Sequence, residues 1–270
     1  MPLGLVGAAA TLLASAGPAS ASASTGPAVV AATSANWSGY VATGGSYTEA
    51  SGTFSVPRVS AYLAGSTASE WVGVDGWSNS SLVQAGVNEV PVGPGATLFE
   101  PWWEVVPGPQ RLATGVMVRA GDRVSVKVEQ ISAGRWSISL VDDTNGDKFS
   151  TLQSYNGPAT SAEWVLEADT TTGGAPTKLT PLADKVTFSA TTLDNAPAFA
   201  EVSLESGAEA TTPTTSTPTT SAAAPTPAGT ATRTTFTKVV MVQGGRAVST
   251  PSVPTAGAFF VAYSPAPLPS

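Results

Sequence analysis

Ser161-Ala162-Glu163-Trp164-Val165-Leu166-Glu167-Ala168-Asp169 is the stretch that decides how this chain is read. Trp, Val and Leu stand side by side with no Gly or Pro between them, the composition of a buried strand. In an extended chain Glu163, Val165 and Glu167 share one face, and Trp164 and Leu166 the other. The apolar face predicts a core. The face with two carboxylates allows two readings: the wet side of an ordinary sheet, or a cleft floor that presents an acid. Spacing narrows the second reading. Four residues along a strand put the two Cα atoms about 13 Å apart, too far for a shared-proton pair. A partner for either glutamate has to come from a neighbouring strand, and Gln84 and Glu104 are the candidates.

Around this stretch the chain is built from short strand-like runs. Its 270 residues suffice for one large β domain with a buried core. Gly (27) and Pro (22) are frequent and only 11% of residues are charged, too few for ordinary amphipathic helices. Runs rich in Val, Thr, Ser and Trp at 50–56, 70–74, 82–87, 99–105, 123–130, 136–142, 162–167, 185–190, 235–243 and 259–263 predict a sandwich or barrel. Asn145-Gly146 between two of them predicts a two-residue hairpin turn. Asp142, Asp143 and Asp147 beside it lack the spacing of a calcium loop, so they read as turn residues.

Composition also excludes chemistry. Cysteine is absent, which removes disulfides, thiolate catalysis and Cys-ligated metals. Histidine is absent too, which rules out Ser-His-Asp and Cys-His machines and His-ligated zinc. An enzyme made from this chain must work with carboxylates, amides, hydroxyls, Lys or Tyr, and no cofactor or metal is expected. A net charge of −7 with twelve scattered basic residues argues against nucleic acid as a partner. A pI near 4.5 is compatible with an acidic medium.

Residues 1–24 carry an apolar, Ala-rich run ending in alternating Ala and Ser, the pattern of a secretory signal peptide, although no Lys or Arg precedes it. Gly17-Pro18 and the serines argue against a membrane anchor, so the mature protein is expected to be secreted, away from membranes and monomeric. Residues 25–35 read as a short leader without a pattern. A single domain is expected over 36–264. The Thr/Pro-rich stretch 211–230 cannot pack a core and reads as an exposed loop inserted into it. The residues after it are too few for a domain of their own, so their strands should return to the same sheet.

Three further segments set polar groups among aromatic or apolar strand residues. In Trp71-Val72-Gly73-Val74-Asp75, alternation puts Trp71 and Asp75 on one side. In Leu82-Val83-Gln84-Ala85-Gly86-Val87, Gln84 interrupts an apolar run, and a buried amide there needs a partner. In Trp102-Trp103-Glu104-Val105, Trp102 and Glu104 share a face, with Trp103 and Val105 on the other. Each alone is compatible with ordinary core and edge positions.

Together with Asn36-Trp37-Ser38-Gly39-Tyr40 and Gly52-Thr53-Phe54-Ser55-Val56-Pro57, these segments and Ala162–Glu167 stand in an order that resembles the glutamic peptidases, or eqolisins. The resemblance implies a concanavalin-like β-sandwich of two antiparallel sheets. It implies a catalytic pair at Gln84 and Glu163, with Trp71, Asp75, Trp102, Glu104 and Glu167 supporting the cleft. Ionised Glu163 would be the general base on a water attacking a peptide carbonyl, and the Gln84 amide would donate to the oxyanion. Protein and peptide substrates and acid endopeptidase activity follow. The chain departs from the family at Asn88-Glu89, in the cleft loop after Gln84, and at Val105-Val106, where aromatics are expected. The competing reading is a concanavalin-like carbohydrate-binding protein or glycosidase. A retaining glycosidase needs carboxyls about 5 Å apart, and the compact acid triplet of such sandwiches is broken here by Val165.

Overall fold

In a computed structural model of the chain, residues 29–170, 175–199 and 234–263 are described. The signal-like segment and the 211–230 stretch lie outside them. The described residues contain strands and no helix. In chain order these are β1 (Val29–Ser34), β2 (Trp37–Thr43), β3 (Glu49–Ser55), β4 (Ser66–Val74), β5 (Leu82–Gly93) and β6 (Ala96–Val106). They continue with β7 (Arg111–Leu112), β8 (Arg123–Ser132), β9 (Arg135–Asp142), β10 (Lys148–Ser154), β11 (Ser161–Glu167) and β12 (Lys178–Leu179). The last are β13 (Val186–Leu193), β14 (Ala196–Pro197), β15 (Thr235–Gln243), β16 (Arg246–Pro251) and β17 (Phe259–Tyr263).

The strands form two layers. One runs β1–β15–β2–β11–β4–β5–β6–β7, and the other β16–β17–β13–β3–β8–β9–β10. β15 joins them. Its first half pairs with β2, and its second half pairs with β16, with a register shift between Met241 and Val242. Between the layers lies an apolar core to which Val72, Val74, Val83, Ala85, Trp164 and Leu166 contribute from one side. Phe54, Val124, Val126, Trp136, Ile138, Leu140 and Phe188 fill it from the other. Trp164 and Leu166 are fully buried there, as strand alternation requires of the apolar face of β11.

The all-β sandwich is as expected, with four differences. Residues 25–35, read as a patternless leader, contain β1, which pairs in parallel with β15 at the edge of its layer. Its Val-Val-Ala-Ala-Thr-Ser sequence is short and gives no alternation to read. The hairpin at Asn145-Gly146 forms, but with a five-residue loop rather than a two-residue turn. Asp142 accepts from the Thr144 backbone N–H there and holds the loop closed. Asn88 and Glu89 lie within β5, which runs on to Gly93, and not in a loop after Gln84. β10 and β16 were not anticipated; β10 alternates half-buried and exposed residues at an edge and carries little apolar signal.

The strands that follow the Thr/Pro-rich stretch are integral to the sandwich. β15 is the second strand of the front layer, and β17 pairs with both β13 and β16.

Candidate active site

The outward face of the front layer can be built row by row, because directly paired residues in antiparallel strands point the same way. Glu163 of β11 is paired with Gly73 of β4, Gly73 with Gln84 of β5, and Gln84 with Glu104 of β6. One row therefore carries Glu163, a glycine, Gln84 and Glu104. Two strand spacings put the Cα atoms of Glu163 and Gln84 about 10 Å apart. Only Gly73 lies between them. A Cβ at that position would stand 3.0 Å from the Gln84 Cβ and 3.0 Å from the Val83 carbonyl oxygen, so the glycine keeps a gap open in the row.

The next row is apolar. Val165 is paired with Trp71, Trp71 with Gly86, and Gly86 with Trp102. Trp71, Trp102 and Val165 form a cluster separate from the main core, with Trp37 and Leu82 packed on it. Gly86 has no room for a side chain: a Cβ there would lie 2.6 Å from the Trp71 Cβ. The third row holds Glu167, Ser69, Asn88 and Glu100. Glu167 takes hydrogen bonds from Asn36 Nδ2 at 2.6 Å and Trp71 Nε1 at 2.9 Å. Trp102 Nε1 donates to Ser69 Oγ at 3.2 Å, and Ser69 Oγ to Asn88 Oδ1 at 2.8 Å.

Glu163 is 3% exposed and Gln84 7%. Ser161 Oγ donates to Glu163 Oε1 at 2.8 Å. Burial outweighs this bond and, with the charges of Asp75 and Glu167, pushes the Glu163 carboxyl up to about 8. The sequence reading takes Glu163 as ionised, whereas its burial favours the neutral carboxyl. Burial likewise lifts Glu167 to about 7, with Asp169 adding to the effect. Gln84 Nε2 donates to Glu104 Oε2 at 2.8 Å, and Glu104 is raised from its ordinary value by burial against the opposing pull of that bond.

Asp75 differs from the alternation expected of it. It follows the end of β4 with φ at 71°, and its carboxylate accepts from the Tyr155 hydroxyl, from the backbone N–H groups of Ala159 and Thr160, and from Asn79 Nδ2. These bonds tie down the loop leading into β11. Its influence on Glu163 is electrostatic. Six of the seven predicted residues thus lie in consecutive rows on one sheet face, and Asp75 braces the end of it.

Sequence reading missed Ser161, Ser69, Asn88, Tyr155 and the spacer role of Gly73. Ser161 was legible in principle, two residues before Glu163 on the same strand face. The others act through strand pairings that local pattern does not reveal.

The profile of the Peptidase A4 family matches residues 35–250. The chain belongs to that family. Its relatives include aspergillopepsin-2 of Aspergillus niger, 30% identical over 158 residues, which cover 50% of this chain and 56% of that protein. The chain thus spans little more than half the length of this curated relative. Among solved structures, scytalido-glutamic peptidase with a transition-state analogue superposes with a TM-score of 0.62 at 20% identity, over 86% of this chain and all of that one. Aspergilloglutamic peptidase from Aspergillus niger gives 0.51 at 22% identity, over 73% and 99% of the two chains. At these identities the likeness establishes the fold: this Peptidase A4 chain has the eqolisin β-sandwich.

Proposed function

We propose that this chain is a secreted acid endopeptidase in which Glu163 and Gln84 hydrolyse the peptide bonds of protein substrates. The observation that carries the reading is the row Glu163–Gly73–Gln84, a buried carboxyl and an amide facing one side across a side-chain-free gap. A substrate carbonyl seated over Gly73 would lie within reach of both groups.

The raised Glu163 carboxyl sets the order of proton transfers. In acid Glu163 begins neutral and gives its proton to the scissile carbonyl oxygen as a water attacks the carbon. The carboxylate so formed takes a proton from that water, leaving a neutral gem-diol. Glu163 then passes this proton to the amide nitrogen, the C–N bond breaks, and the carboxyl recovers its proton from the gem-diol oxygen. The Gln84 amide donates to the carbonyl oxygen throughout, a contribution of about 3 kcal/mol at comparable sites. Trp71 and Trp102 wall the cleft, and no metal or cofactor takes part.

Secretion rests on the apolar run before residue 24 and its small-residue end. A monomer is the form proposed for the mature protein. The test is digestion of a denatured protein at about pH 4, where free carboxyls are half ionised, in the presence of pepstatin and of a chelator. Cleavage should persist in both. Glu163→Gln should abolish it, and Gln84→Ala should lower kcat by about 10²–10³-fold. Full activity in either variant sinks the assignment.

A further inference from the structure

A primary amide offers two N–H donors at one end and one acceptor at the other. In Gln84 the Nε2 end is bonded to Glu104 Oε2, while Oε1 is buried and has no hydrogen-bond partner. The end of the amide turned away from Glu104 is therefore an acceptor, the wrong polarity for a developing oxyanion. An ionised Glu104 enforces this arrangement, because a carboxylate only accepts and would repel Oε1. A protonated Glu104 has an O–H to give. The amide can then turn by half a rotation, take that O–H on Oε1, and direct its two N–H groups to the position Oε1 now occupies. The turn also removes the unpaired buried oxygen, which favours it.

We propose that Glu104 is a positioning residue whose protonation turns the Gln84 amide from an acceptor-out to a donor-out orientation, so that the cleft becomes competent only in acid. The inference rests on the reading of Gln84 as the oxyanion donor. The titratable groups around Glu104 are acids: Glu167 of β11 and Asp169 beyond it, both raised by the Glu104 charge, and Glu100 on its own strand. The nearby cation on β7, Arg111, lies over the ring of Trp103 at 5.7 Å, opposite a residue on the other face of β6.

Glu104→Gln separates this role from a merely structural one. Its amide can donate to Gln84 Oε1 at every pH, so the donor-out orientation stays open where an ionised Glu104 forbids it. The experiment is the pH profile of kcat and of KM for the protein, Glu104→Gln and Glu104→Ala, within the range where circular dichroism shows the fold intact. The alkaline limb of kcat should move up by about one pH unit or more in Glu104→Gln, a tenfold gain per unit on that limb, with little change in KM. Glu104→Ala, which can hold neither orientation, should lower kcat at all pH values and lose that limb. A Glu104→Gln limb superposable on the unmodified protein's overturns the proposal, as does a change confined to KM. If Gln84→Ala keeps full activity, the dyad itself fails; if it is inactive and the limb does not move, only the switch fails.

Discussion

Glu70 and Glu89 point into the core from adjacent strands β4 and β5, and no donor among the described residues bonds to any of their four carboxyl oxygens. Glu70 is paired with Val87 and Glu89 with Ala68, so the two glutamates are diagonal neighbours on the inner face. The hydrogen bond open to them is a carboxylic acid on one donating to the other, which requires a proton.

The fold should therefore lose stability as pH rises. Burial raises both carboxyls; Glu70 and Asp169 push Glu89 up further, while the Glu89 side chain draws Glu70 part of the way back down. A group whose folded-state value lies above its unfolded one contributes stability that is complete below the unfolded value and is lost as pH climbs through the folded one. Glu70, at about 8 against 4.5, places that loss between mildly acid and mildly alkaline pH. The slope is about 1.4 kcal/mol per pH unit for each group. Thermal melts from about pH 4 to about pH 8 should show a falling Tm in the unmodified protein. Glu70→Gln/Glu89→Gln should flatten the fall. An equally steep fall in the double variant removes the pair as its cause.

Gly73→Ala tests the gap between Glu163 and Gln84. The added methyl would meet Gln84 Cβ and the Val83 carbonyl at 3.0 Å, and Leu82 Cδ1 at 3.2 Å. Leu82 can yield, but the backbone oxygen cannot, so Gln84 is displaced and the space for a carbonyl closes. A misplacement near 1 Å can lower rate by about 10²-fold. The expected result is a drop of that order in kcat/KM at acid pH, with circular dichroism unchanged. Activity within about twofold of the unmodified protein, well below that expected effect, removes the gap from the mechanism.

What the sequence shows and hides follows from the range of the interactions. The alternation in Glu163–Trp164–Val165–Leu166–Glu167 is local, and it correctly sorted core from outer face. The same rule sorted Trp102 and Glu104 from Trp103 and Val105. It failed at Asp75, where a positive φ breaks the alternation on which the rule depends. Glu89 went unread as a core residue because an acid on an inner face contradicts the pattern of burial, and only the inward acid at Glu70 accounts for it. The upward shift of Glu163 was out of reach for a related reason: the strand supplies the carboxyl, but its burial and the Asp75 charge come with β4 and the segment after it.

Trp71→Phe is the most selective test of how the third row is held. The ring's place beside Trp102 and Val165 is kept, but the Nε1–H bond to Glu167 Oε2 is lost. Glu167 retains Asn36 on Oε1. The lost bond is charge-assisted only while Glu167 is ionised, and its removal pushes a carboxyl already at about 7 further up. Stability should then fall by about 1–3 kcal/mol where Glu167 is ionised in the unmodified protein, and by less in acid, where a neutral acid is a weaker acceptor. Urea unfolding of both proteins at about pH 4 and about pH 7 measures the difference. An equal cost at the two pH values would mean that Trp71 acts on this row through packing alone.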